Sequence, residues 1–141
     1  MGVTRHVVAD LAGMDLLARE LARGLGPGSA VLLSGPLGAG KTSLARALLR
    51  VLTEDAALEV PSPSYTLVQT YRAAAGLVHH FDLWRLPDSR GVAELGWDEA
   101  REGIVLVEWP DRLGDLTPLD ALRVEIAVGA EEQRLVTVRR A

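Results

Sequence analysis

Two kinds of apolar pattern alternate along the chain. Residues 30–33 and 104–107 are continuous apolar runs, the mark of strands buried on both faces. Elsewhere apolar residues recur every three to four positions. Leu11, Met14, Leu17 or Ala18, Leu21 and Leu25 do so with Arg19, Glu20 and Arg23 on the other side, predicting a helix from an Asp10 cap to about Gly24. Leu44, Leu48 and Leu52 share one face of a second helix over residues 43–52. Residues 5–9 predict an edge strand. Residues 65–71 and 77–83, rich in β-formers and joined by a short link, predict an antiparallel hairpin, and residues 122–128 and 135–139 predict another. Short helical turns are expected at residues 92–95 and 98–101, and a loop over residues 111–118.

Between the first apolar run and the second helix lies Gly35-Pro36-Leu37-Gly38-Ala39-Gly40-Lys41-Thr42, which matches the phosphate-loop pattern G-x-x-x-x-G-K-[ST]. Strand, glycine-rich turn and helix are the context that this pattern requires. The glycines let the backbone turn and aim N–H groups inward, and the helix start adds its own N–H groups and dipole. Lys41 is expected to reach the β- and γ-phosphates, and the Thr42 hydroxyl to bind Mg²⁺. The predicted architecture is therefore α/β: a P-loop NTPase-like three-layer domain over residues 1–141, with a mixed, partly parallel sheet and antiparallel edge hairpins.

Composition narrows the function. The formal net charge is −4, which argues against broad nucleic-acid binding by this chain alone. There is no cysteine, so disulfides and thiolate metal sites are excluded. No apolar run approaches the roughly 20 residues that span a bilayer, and the N-terminus lacks a signal-peptide core; a cytoplasmic protein with no membrane contact is expected. Lys41 is the only lysine of the chain.

Glu108 follows the second apolar run at a strand's carboxyl end, where open α/β sheets bind ligands; it is the leading carboxylate to complete an Mg²⁺ shell. Asp82 is the second, either holding a metal-bound water or orienting the attacking one, or else capping a strand end or pairing with Arg85. Trp109 either packs over the nucleotide or serves packing at the turn with Pro110. His79 and His80 alternate across a strand, so at most one faces the core or site, and a structural role is expected for either. Ser62, Ser64 and Thr66 sit where other nucleotide switches carry a γ-phosphate sensor. Asp88-Ser89-Arg90-Gly91 matches the D-x-x-G of GTPases, but its polar flanks and the missing guanine motif set that reading aside.

Five stretches in this order resemble the TsaE family: residues 38–42, Ser62-Pro63-Ser64-Tyr65-Thr66-Leu67-Val68, His80-Phe81-Asp82-Leu83-Trp84-Arg85-Leu86, Glu94-Leu95-Gly96 and Leu106-Val107-Glu108-Trp109-Pro110. The resemblance implies ATP held by Leu37, Gly38, Ala39, Gly40, Lys41, Thr42 and Ser43, and Mg²⁺ held by Thr42 and Glu108. Ser64 would belong to the switch-like segment that senses the nucleotide. Asp82 and Trp109 match positions important for activity, Trp109 at the nucleotide and Lys41, Asp82 and Glu108 in catalysis. In the family the terminal hairpin and the start of the N-terminal helix approach the base. The implied role is an ATPase that supports turnover of a TsaD–TsaB heterodimer forming N6-threonylcarbamoyladenosine at position 37 of tRNA, with tRNA met only through that complex. A small-molecule or nucleoside kinase and a binding module that holds ATP without meaningful hydrolysis are the alternatives.

Overall fold

The computed structural model describes residues 2–140, and within it seven strands form one sheet. In chain order these are β1 (Gly2–Val8), α1 (Leu11–Ala22), β2 (Ala30–Ser34), α2 (Lys41–Leu52), β3 (Val68–Ala73), β4 (Gly76–Asp82), α3 (Ser89–Glu94), α4 (Trp97–Ala100), β5 (Ile104–Glu108), β6 (Leu122–Val128) and β7 (Arg134–Arg140). The spatial order is β1-β7-β6-β2-β5-β4-β3. The central strands β4, β5, β2 and β6 run parallel, as buried apolar runs favour. Antiparallel pairs, β3 with β4 and β7 with both β6 and β1, close the two edges.

Alternation along the strands divides the core into two. On one face Val31, Leu33, Leu106 and Val124 pack against Met14, Leu17 and Leu21 of α1 and Leu44 and Leu48 of α2. On the other, Leu32, Phe81, Val105 and Val107 pack against Val92 of α3, Trp97 of α4 and Leu113. The Phe81 and Trp97 rings meet edge to face at 5.3 Å. These are the three expected layers. No helix among the described residues is long and apolar enough to cross a membrane.

Several expectations need correction. The terminal hairpin is the antiparallel β6–β7 pair, as expected; what the sequence did not show is that β6 also lies parallel beside β2 and that β1 covers β7 beyond it. Residues 65–67 precede the first strand of the hairpin rather than forming part of it: Leu67 takes φ 70° and the chain turns there, although its carbonyl still accepts the Asp82 N–H at 2.9 Å. Pro110–Leu116 is a 3-10 segment rather than loop, broken at Gly114. Leu11, the first residue of α1, is 72% exposed although it continues the helical stripe. Asp10 does cap α1, accepting the Gly13 N–H at 2.9 Å. Asp88 caps α3, accepting the Arg90 N–H.

Candidate functional site

Parallel β2, β4 and β5 end together: Leu33 pairs in register with Glu108, and Glu108 with Asp82. The loop after β2 therefore faces two carboxylates from neighbouring strands. Gly35 is needed where it stands, because a Cβ there would collide with the Ile126 carbonyl oxygen of β6. Gly40 takes φ 114° and starts α2 from a left-handed conformation that glycine adopts without strain.

Lys41 is 4% exposed. Its Nζ donates to the carbonyls of Gly35 at 2.6 Å and Pro36 at 3.0 Å and lies 4.0 Å from the centre of the Trp109 ring. Burial holds its pKa below the ordinary lysine value, and the Glu108 and Asp82 carboxylates counter that shift in part. The Thr42 hydroxyl donates to Glu108 Oε1 at 2.8 Å, joining residues 66 positions apart. Glu108 Oε2 pairs with His80 Nε2 at 2.7 Å. Asp82 accepts the Ser64 hydroxyl at 3.2 Å through Oδ2 and the Trp84 N–H at 3.1 Å through Oδ1. Ser64 also shares a 2.8 Å bond with Ser62. Asp82 thus both caps the end of β4 and reaches the serine segment, while Arg85 lies over the Tyr65 ring instead.

Trp109 is a non-glycine residue at φ 58°, directly before Pro110. That conformation is uncommon and costs about 1–3 kcal/mol. It turns the indole across the cleft, onto Lys41 on one side and against Trp84, with ring centres 4.4 Å apart.

A cleft of about 270 Å³ collects Leu37, Gly38, Gly40, Lys41, Thr42, Ser43, Ser64, Asp82, Glu108 and Trp109, with Ser62 beside them; of the predicted site residues Ala39 and Thr66 lie outside it, and the Thr66 hydroxyl instead accepts a bond from Gln69 Nε2 at 2.9 Å. Ala39 faces a neighbouring cavity of about 370 Å³ that Asp10, Leu11, Met14, Ser43 and Arg134 also line. Arg134 ties this side together, donating through Nε to the Ala39 carbonyl at 2.8 Å. The two cavities meet along the phosphate loop, so one could take a polyphosphate and the other the rest of a nucleotide.

The described residues contain no group of three or more His, Asp or Glu side chains able to hold a metal by themselves. The Thr42 hydroxyl and Glu108 carboxylate fit Mg²⁺ in a different way, since that ion commonly uses one or two protein oxygens together with substrate phosphates and water.

Three contacts escaped the sequence reading. His80 reaches Glu108, whereas His79 pairs with the Thr70 hydroxyl of β3 at 2.9 Å. The period of two along a strand, counted back from Asp82, would have marked His80. Nothing local marked Arg134, whose partner lies across the sheet.

The family model described as "Threonylcarbamoyl adenosine biosynthesis protein TsaE" matches residues 8–136. The chain is 35% identical over 123 residues to the tRNA threonylcarbamoyladenosine biosynthesis protein TsaE of Rickettsia felis, covering 86% of this chain and 71% of that one. It is 37% identical over 124 residues to the protein of the same name from Aquifex aeolicus, covering 88% and 86%. Among solved structures, Bacillus subtilus YdiB superposes with a TM-score of 0.81 at 23% identity, covering 99% of this chain and 86% of the other, a likeness of fold. The phosphate loop, its two strand-end carboxylates and these matches agree: the chain belongs to the TsaE family.

Proposed function

We propose that this chain binds Mg²⁺ and ATP and hydrolyses the ATP in support of tRNA threonylcarbamoyladenosine biosynthesis, acting on a TsaD–TsaB heterodimer in the cytoplasm. The observation that carries the reading is the 2.8 Å bond from Thr42 on the phosphate loop to Glu108 on the adjacent strand. It joins the two side chains a phosphate-bound metal would need. Leu37 to Ser43 would cradle the phosphates with backbone N–H groups, and Lys41 would leave the two loop carbonyls for the phosphate oxygens. Mg²⁺, when bound, would neutralise charge on the phosphates. Asp82 would orient the attacking water. The water oxygen bonds the γ-phosphorus as the bridging P–O bond breaks, and the proton leaves to phosphate or solvent.

No arginine lines the phosphate-side cleft among the described residues. This favours slow hydrolysis by the chain alone and stimulation by a partner that supplies a positive charge. The net charge of −4 favours meeting tRNA through the complex rather than directly. The test is turnover of Mg-ATP with and without purified TsaD–TsaB. Stimulated hydrolysis is expected; ATP binding with no turnover in either mixture would leave a binding module.

A further inference from the structure

The geometry points to His80 as a positioning residue that fixes the Glu108 carboxylate for metal-dependent nucleotide binding, an inference that rests on the Mg-ATP reading. His80 is fully buried on β4, two residues before Asp82 and therefore on the same face of the sheet. Its Nε2 lies 2.7 Å from Glu108 Oε2, while the Thr42 hydroxyl occupies Oε1 at 2.8 Å. A carboxylate only accepts, so Nε2 carries the proton. Nδ1 meets no polar partner among the described residues, so the bond to Glu108 is the ring's one polar contact there.

With a donor on each oxygen, the Glu108 carboxyl group cannot rotate without breaking two hydrogen bonds. One oxygen is kept toward Thr42 and the other is withheld. Outer partners of this kind orient a metal site, and their loss typically lowers metal affinity about 10- to 100-fold. A space-filling role would need only the volume of the imidazole. Positioning needs its N–H.

Two variants separate these roles. His80→Gln keeps an N–H at similar reach; His80→Leu fills the volume without one. Mg²⁺ is titrated into protein holding a nonhydrolysable ATP analogue, with tryptophan fluorescence as the readout, and ADP binding without Mg²⁺ is measured by calorimetry. His80→Leu should raise the Mg²⁺ midpoint about 10- to 100-fold. It should leave metal-free ADP affinity unchanged, and His80→Gln should recover most of the loss. Equal midpoints in His80→Leu and the unaltered protein, or equal losses with and without Mg²⁺, overturn the inference. Nitrogen-15 spectra of the unaltered protein, which has three histidines, give an independent reading. A His80 proton on Nε2 supports the inference, and a ring that carries its proton on Nδ1 alone overturns it even if neither variant folds. Unaltered protein that ignores Mg²⁺ overturns the metal reading itself and this inference with it, whereas failure confined to the variants overturns this inference alone.

Discussion

Lys41 Nζ is held between the Gly35 carbonyl, at 2.6 Å, and the Trp109 ring, whose centre is 4.0 Å away. The loop's own carbonyls occupy the ammonium that phosphates would otherwise take. Replacing it by alanine removes a charge-assisted contact worth about 1.5–3 kcal/mol, or about 10- to 150-fold in ATP affinity. Lys41→Ala should keep its circular dichroism spectrum and lose that affinity by calorimetry. Undiminished ATP binding in the folded variant would contradict the phosphate-loop assignment.

The same lysine sets a pH dependence. ATP favours the charged ammonium, and burial lowers its pKa from 10.5. Before ATP binds, affinity is therefore full below the lowered value and declines as pH rises through it, beginning under 10.5. Affinity measured across the alkaline range should show this decline in the unaltered protein and not in Lys41→Ala. A flat profile up to 10.5 would argue against the ammonium as a phosphate ligand.

Glu108→Ala removes the acceptor of both Thr42 and His80. Hydrolysis should fall much further than nucleotide binding, because the metal matters most to charge developing in transfer. The check is kcat alongside ATP affinity at saturating Mg²⁺. Unchanged kcat would shift attention to Asp82.

Ser64 donates to Asp82 from a segment stiffened by Pro61 and Pro63. If the γ-phosphate orders this segment, a partner that reads it binds the ATP state better, and ATP binds better to the partnered protein. Ser64→Ala should narrow the difference in TsaD–TsaB affinity between ATP-analogue and ADP states while ADP binding stays nearly intact. Co-elution at fixed salt measures both. Equal partner affinity in the two states of the unaltered protein would remove the switch.

His79 is structural, and its signature is thermodynamic. Burial lowers its pKa from 6.5, so the unfolded chain binds this proton more readily. Its contribution to stability is present above 6.5 and is lost as pH falls through the lowered value. Urea midpoints measured from neutral to acid pH should fall less steeply in His79→Gln than in the unaltered protein. Parallel curves would refute the assignment.

The phosphate loop, the buried strands and the helix stripes were legible because each is written in local spacing. So were Glu108 and Asp82, which end apolar or β-rich runs. The 3-10 segment after Trp109 was not, because Pro110 and Gly114 read as loop punctuation while the Leu113 side chain that anchors it fills a core set by distant strands. Leu11 keeps the helical phase of the stripe, yet it is exposed and lines the cavity it shares with Arg134. The bonds of His80 to Glu108 and of Arg134 to Ala39 span 28 and 95 residues. They depend on which strands become neighbours, and strand order is not written in any single window.

Both neighbours of β2 come from later in the chain: β5 begins at Ile104 and β6 at Leu122. On the ribosome, the loop that follows β2 is synthesised long before anything that flanks its strand. α1, α2 and the β3–β4 hairpin can begin to form from nearby contacts, but the sheet beside the loop must await long-range closure, the slow part of such folding. The Ile126 carbonyl that packs on Gly35 arrives later still. Nascent chains halted before residue 122 would carry the complete loop sequence but lack β6, one of the two strands that flank β2. Whatever needs the loop in its packed form meets it only after β6 has been made.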